Sequence, residues 1–167
     1  MNHNETSLAI ANYFIQKANE DGKEMTPMKL LKLVYISHGW HLAVYDTPLI
    51  QEPILAWQYG PVVPSVYQQF KIYGNTNIND TGFIINAKRE MVIPIAEKSK
   101  CVFLDKVWNV YKNYTGVQLS AMTHRKHTPW DKVYDSGRGE NAIIPNQLIK
   151  DHYAAKISAN QSIEHVS

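Results

Sequence analysis

Hydrophobic residues recur at helical spacing through most of the chain, and the longest such run predicts a central helix. Thr26 suits the N-cap of this helix, Pro27 suits its first helical position, and the apolar pattern continues to Tyr45. Apolar side chains occupy nearly every face of the segment, which is typical of a helix surrounded by other elements. Lys29 and Lys32 interrupt this pattern on one strip of the first two turns. They are interpreted as exposed, solvated lysines, with contact to a partner as the alternative.

Shorter helical patterns precede and follow the central helix. They predict a first helix from Thr6 to the Asp21-Gly22 stop, then helices at Ser65–Tyr73, Glu97–Tyr114 and Val117–Thr123, one turn at Asp131–Tyr134, and a last helix from Ile144-Pro145. Two β-like signals accompany them: a short apolar run at Ile54–Trp57, and a small hairpin from Phe83–Ile85 and Met91–Ile95. We therefore predict a mainly α (α+β) fold: a compact helical domain around a central apolar helix, with a small β-hairpin or short strands.

The stretch Trp57-Gln58-Tyr59-Gly60-Pro61-Val62-Val63-Pro64 is the least ordinary part of the sequence. Gly60 and Val63 precede prolines and are therefore expected to be extended or turned, and Pro64 suits the start of a helix. One interpretation is a rigid connector between a strand and a helix, whose aromatic side chains fill the core. The other is a preformed aromatic surface on which another molecule docks. Local chemistry alone leaves both open.

Composition sets the class of protein. The 167 residues are 44% hydrophobic and 19% charged, with a net charge of +2. We expect one domain over residues 1–159 followed by a polar tail at 160–167. The small net charge argues against binding to nucleic acid or a membrane surface. A single cysteine excludes an internal disulfide, and neither a secretory signal nor a membrane-spanning apolar run is visible, so a cytoplasmic protein is expected.

The sequence contains only weak evidence for a catalytic or metal-binding site. Four histidines occur as two pairs spaced three apart, His38 with His41 and His124 with His127, but no HExxH or CxxC pattern supports a metal. His124–His127 includes Arg125 and Lys126 and is too short a basic cluster to indicate nucleic-acid binding, although Tyr59 or Trp130 would be able to stack on a base. A Ser-His-Asp combination can be selected from Ser120, His124 and Asp131, but most proteins of this size contain such a combination, so it does not indicate a catalytic triad. The sequence therefore predicts no catalytic residue, no metal and no cofactor.

Three blocks of the sequence together resemble a known family. These are Thr26-Pro27-Met28-Lys29-Leu30-Leu31-Lys32-Leu33-Val34-Tyr35 with Gly39-Trp40, then Ala56–Tyr67, and later Leu119–His124 with Pro129-Trp130 and Gly139-Glu140-Asn141. The chain resembles the Panacea antitoxin domain, a phage-associated family also described as GepA-like or SocA-like. The resemblance runs from about Leu8 to Tyr153.

This resemblance implies a mostly helical protein that neutralises a cognate protein toxin by direct contact. One member of the family instead delivers its toxin to a Clp-type protease, so an adaptor is the first alternative. An enzyme or nucleic-acid-binding protein is the second. The family has no agreed catalytic residues, and the positions that match its motif are expected to bind the partner or to be structural: Lys29, Lys32, Trp57, Tyr59, Gly60, Pro61, Val62, Pro64, Tyr67, His124 and Trp130.

Overall fold

The computed structural model describes residues 6–79, 94–95 and 97–159. Within these ranges the chain is mainly helical with one two-stranded antiparallel sheet, as predicted. The elements in chain order are α1 (Ser7–Glu20), α2 (Pro27–Tyr45), β1 (Leu55–Trp57), β2 (Gly60–Val62), α3 (Pro64–Phe70), α4 (Lys98–Tyr111), α5 (Gly116–Thr123), α6 (Pro129–Tyr134) and α7 (Asn146–Ser158). Short 3-10 turns follow α3 at Lys71–Tyr73 and α6 at Asp135–Gly137.

The central helix is α2, and it begins where the sequence predicts. The Thr26 side chain accepts a hydrogen bond from the backbone N–H of Lys29 at 3.3 Å, and Pro27 occupies the first turn. Every residue from Lys32 to Leu42 is buried, because α2 packs against α7 and α5 most extensively and also against α1, α3 and α4. A helix enclosed on all sides requires apolar residues all round, and this explains the pattern of the sequence.

The contact between α2 and α7 is close. A Cβ added at Gly39 would lie 2.2 Å from Cε2 of Tyr153. That tyrosine ring also packs edge-to-face against Trp40, with ring centroids 4.9 Å apart. Glycine at residue 39 therefore lets the ring of α7 lie directly on the backbone of α2.

Helix α4 is joined to the end of α1 by a tryptophan. Trp108 is fully buried, and its Nε1–H donates to Oδ2 of Asp21 at 2.6 Å. The sequence pattern predicted this helix over Glu97–Tyr114, and the structure has it over Lys98–Tyr111 with Phe103, Val107 and Trp108 buried.

Several predictions fall on parts of the chain that the structure does not describe. The hairpin from Phe83–Ile85 and Met91–Ile95 lies outside the described residues except for Pro94 and Ile95, and the 160–167 tail lies wholly outside them. Within the described ranges, no helix combines the length and apolar character that crossing a membrane requires.

Candidate functional site

The Trp57–Pro64 motif folds as a β-hairpin whose second strand leads into α3. β1 and β2 pair with Trp57 opposite Gly60, so Gln58 and Tyr59 alone form the turn. Gly60 has a φ of +120°, which a residue with a side chain rarely adopts. The connector interpretation is correct for Pro64, which starts α3, but it missed the second strand.

Lys32 of α2 contacts the second strand of this hairpin from inside the protein. Its Nζ donates to the carbonyl oxygen of Pro61 at 3.1 Å, and the side chain is only 3% exposed. A Cβ at Gly60 would lie 2.6 Å from this Nζ, so the missing side chain of Gly60 makes room for the amine. No carboxylate of the described ranges forms an ion pair with Lys32, and burial lowers the pKa of its amine to about 7.

Two indole N–H groups fix the first strand. Nε1–H of Trp130 donates to the carbonyl oxygen of Trp57 at 2.7 Å, and Nε1–H of Trp57 donates to Oδ1 of Asn141 at 2.9 Å. On its outer edge, the N–H of Ala56 donates to the carbonyl oxygen of Ala142 at 2.9 Å. Strand β1 is therefore hydrogen-bonded on both edges, and the hairpin is held in one position.

An aromatic surface remains exposed on this fixed hairpin. Tyr59 at the turn is 67% exposed, Tyr67 on α3 is 37% exposed, and Trp57 is half-buried. The rings of Trp57 and Tyr67 meet edge-to-face with centroids 5.1 Å apart. We call Trp57, Tyr59 and Tyr67 the aromatic face. The backbone of the motif is therefore scaffold, but its aromatic side chains do not fill the core as the connector interpretation expected, and docking of another molecule on them stays a prediction.

The remaining motif residues are mostly scaffold. Gly60, Pro61 and Val62 are buried, and Trp130 is 7% exposed with its ring 5.5 Å from that of His124. Sequence reasoning missed the contribution of Asn141, because its contact with Trp57 spans 84 residues of chain. The only signal was the presence of Gly139-Glu140-Asn141 in the family pattern.

The prediction that Lys29 and Lys32 are exposed is wrong. Lys29 is 5% exposed, its Nζ donates to the carbonyl oxygen of Lys112 at 2.6 Å, and it lies 5.3 Å from the ring centre of Trp108. The physical reason is that carbonyl groups just beyond the end of a helix lack intrahelical donors and carry partial negative charge, and Lys112 follows α4. Lys32 likewise donates to a backbone carbonyl, that of Pro61, so both amines bind the backbone of segments that are distant in the sequence.

Ser120 and His124 are hydrogen-bonded, but not as a nucleophile and its base. The Ser120 hydroxyl donates to the carbonyl oxygen of Tyr59 at 3.0 Å. Because a hydroxyl has one proton, Nδ1 of His124, 3.3 Å from Oγ, is the donor in their contact. The Asp131 carboxylate accepts instead from the N–H of His127 at 2.8 Å. Because Asp131 is bonded to His127 and not to His124, these three residues do not form the Ser-His-Asp arrangement of a catalytic triad.

The four histidines do not form a metal site. Both ring nitrogens of His38 are occupied: Nε2 donates to Oδ1 of Asn146 at 2.9 Å, and Nδ1 accepts a long hydrogen bond from the N–H of Ile50 at 3.5 Å. Nδ1 of His41 donates to the carbonyl oxygen of Thr47 at 2.6 Å. Burial lowers the pKa of both histidines. No group of three His, Cys, Asp or Glu residues among the described residues is placed to hold a metal ion.

Comparison with known proteins identifies the family of this chain. The family model described as "Antitoxin SocA-like, Panacea domain" matches residues 30–131, which include most of α2, the hairpin and the start of α6. The chain is 29% identical to Antitoxin SocA of Caulobacter vibrioides over 152 residues, which span 87% of this chain and 80% of that protein. No solved structure matches. Because the family model covers more than half of the sequence, the chain belongs to the SocA-like antitoxin family and carries its Panacea domain.

Proposed function

We propose that this protein neutralises a protein toxin by binding it directly, one molecule to one, and that it catalyses no reaction. Membership of an antitoxin family supports the class of function. The contacts of Asp131 support the absence of triad catalysis, since its carboxylate accepts from the N–H of His127 and does not orient His124 beside Ser120.

The observation that carries the proposal is the exposure of the aromatic face on a fixed hairpin. A tyrosine or tryptophan side chain has few rotatable bonds and a large apolar area, so it loses little entropy when a partner covers it. Strand β1 is bonded on both edges, and β2 is bonded to Lys32, so the backbone below Tyr59 is ordered before the partner arrives. Such preorganisation favours tight binding. We therefore place the centre of the toxin-binding surface on Tyr59.

Replacing Tyr59 with serine tests this placement. The side chain of Tyr59 is mostly exposed, and its backbone carbonyl still accepts from Ser120 after the change, so the fold survives. We expect the Kd for the toxin to rise at least about tenfold, because a central aromatic contact is lost. The measurement is isothermal titration calorimetry with the product of the adjacent open reading frame as the candidate toxin.

Tyr45→Ser is the matched control, since Tyr45 is 50% exposed and is the last residue of α2, outside the aromatic face. We expect it to leave the Kd within about threefold of the wild-type value. If both substitutions raise the Kd equally, or if neither raises it, the aromatic face is not part of the binding surface. Failure of the wild-type protein to bind would count against the antitoxin role with that candidate.

A further inference from the structure

A concave surface separate from the aromatic face lies where the start of α2 meets the connection between α4 and α5. It is a pocket of about 550 Å³, and we call it the α2–α5 pocket. Its apolar lining comes from Met28, Tyr114 and Val117, of which Val117 is 73% exposed and Tyr114 is 37% exposed. An exposed valine beside a tyrosine and a methionine is a suitable contact for an apolar side chain of a partner.

The charges of the α2–α5 pocket are predominantly positive. Its lining contains three lysines, Lys23, Lys29 and Lys112, and a single carboxylate, Glu24. Lys112 also forms an ion pair outside the lining, with Asp21 at 3.8 Å. Lys29 is 5% exposed and donates to a backbone carbonyl, and no carboxylate in the described part of the chain forms an ion pair with it. The pocket therefore contains more positive than negative charge.

Two helices, α2 and α5, begin beside the pocket, and unsatisfied N–H groups at a helix start also attract anions. Thr26 caps α2 by accepting from the N–H of Lys29, and Thr115 caps α5 by accepting from the N–H of Gln118. The N–H groups of Lys29 and Gln118 are therefore already satisfied, and the formal positive charge of the lining belongs to its lysine side chains. Complementarity to such a surface requires a carboxylate next to an apolar group.

We propose that the α2–α5 pocket binds an acidic segment of the toxin, with carboxylates beside Lys23 and Lys112 and an apolar side chain against Met28 and Val117. The inference rests on the proposed function, because it names the chemistry of a second contact with the same partner. It uses no residue of the aromatic face, so the two surfaces are tested by different substitutions.

Val117→Glu tests the charge of the pocket without threatening the fold. Val117 is exposed in the first turn of α5, where a carboxylate interacts favourably with the helix dipole. Val117→Gln is the matched control, since it has the same shape without the charge. In calorimetry with the product of the adjacent open reading frame, we expect Val117→Glu to bind about tenfold more weakly than Val117→Gln. The difference should shrink as salt is raised from low to high concentration.

A direct probe makes the test independent of the toxin. The peptide acetyl-Glu-Leu-Glu-Leu-Glu-amide is titrated into the protein while the methyl signals of Met28 and Val117 are followed by NMR. We expect both signals to move with the glutamate peptide and to stay in place with the same peptide carrying lysine in place of glutamate.

The outcomes separate the two proposals. If the toxin binds the wild-type protein but does not distinguish Val117→Glu from Val117→Gln, the pocket inference is overturned and the antitoxin proposal stands. If neither peptide moves the methyl signals, or if both move them equally, the inference is overturned whatever the toxin does. If the toxin does not bind at all while the acidic peptide does, the antitoxin proposal fails for that candidate and the pocket still selects acidic segments.

Discussion

Replacing Lys32 with methionine is expected to stabilise the protein at pH 6 by a few kcal/mol and to destabilise it slightly at pH 10. The Lys32 amine is enclosed, and its one hydrogen bond in the described structure goes to the carbonyl oxygen of Pro61. Burial lowers its pKa from 10.5 to about 7. At about 1.4 kcal/mol per pKa unit, a protonated Lys32 costs the folded state roughly 5 kcal/mol. Methionine removes this cost, but it leaves the Pro61 carbonyl without its donor, a loss of about 1–2 kcal/mol.

The direction of the pH dependence follows from the two pKa values. Between pH 7 and 10.5 the unfolded chain binds the Lys32 proton and the folded chain releases it, so the free energy of unfolding rises with pH in this window. Below pH 7 both states are protonated and the full cost remains. Urea unfolding at pH 6, 8 and 10 should show this slope for the wild-type protein and a flatter one for Lys32→Met. Lys98→Met, at an exposed lysine of α4, should keep the wild-type slope. An unchanged slope in Lys32→Met would show that Lys32 is not enclosed as described.

Replacing Gly39 with alanine is expected to destabilise the protein by about 2–3 kcal/mol, although alanine favours helices. The new Cβ would lie 2.2 Å from Cε2 and 2.4 Å from Cδ2 of Tyr153. The ring cannot move aside, because it is 4% exposed and packs against Trp40 and Tyr35. Helix α7 must therefore shift away from α2. The measurement is the free energy of unfolding from urea titration, at a pH where Lys32 does not titrate.

A double-mutant cycle identifies the cause of this loss. Tyr153→Leu removes the ring and creates space next to residue 39. We expect Gly39→Ala to be nearly neutral in the Tyr153→Leu background, with a coupling energy of about 2 kcal/mol. Additive losses would place the effect of Gly39→Ala elsewhere in the helix.

The helices were predictable because their signals are local. Thr26 and Pro27 mark the start of α2, and Asp21-Gly22 marks the end of α1, as the structure confirms. Capping groups and helical periodicity act over a few residues, so they are readable without knowledge of the fold. The hydrogen bond between Trp108 and Asp21 was not predictable in this way, because the two residues lie 87 residues apart in the sequence.

The burial of the lysines was not predictable from the sequence. A charged side chain on a helix is usually exposed, and its burial requires acceptors supplied from elsewhere. Here the acceptors are the carbonyl groups of Lys112 and Pro61, which lie 83 and 29 residues further along the chain. No pattern around Lys29 or Lys32 indicates such partners.

The second strand of the hairpin was missed for a related reason. Gly60–Val62 is only three residues long and contains a proline, which cannot donate to a strand ladder and usually argues against a strand. Proline is tolerated at Pro61 because β2 is an edge strand, whereas β1 pairs on both sides. The docking of Asn141 and Ala142 beside β1 depends on the course of the whole chain, so the shape of the aromatic face becomes visible only in three dimensions.

We propose that the protein neutralises its toxin by stoichiometric binding alone. The most direct test of this proposal is calorimetric titration of the product of the adjacent open reading frame, followed by mass spectrometry of both chains after mixing. We expect saturation at one protein per toxin and unchanged masses, with the toxin intact when a Clp-type protease is added. A changed toxin mass would reveal catalysis, and loss of the toxin only with the protease would reveal an adaptor. Either result, or the absence of saturable binding, would rule out neutralisation by stoichiometric binding alone.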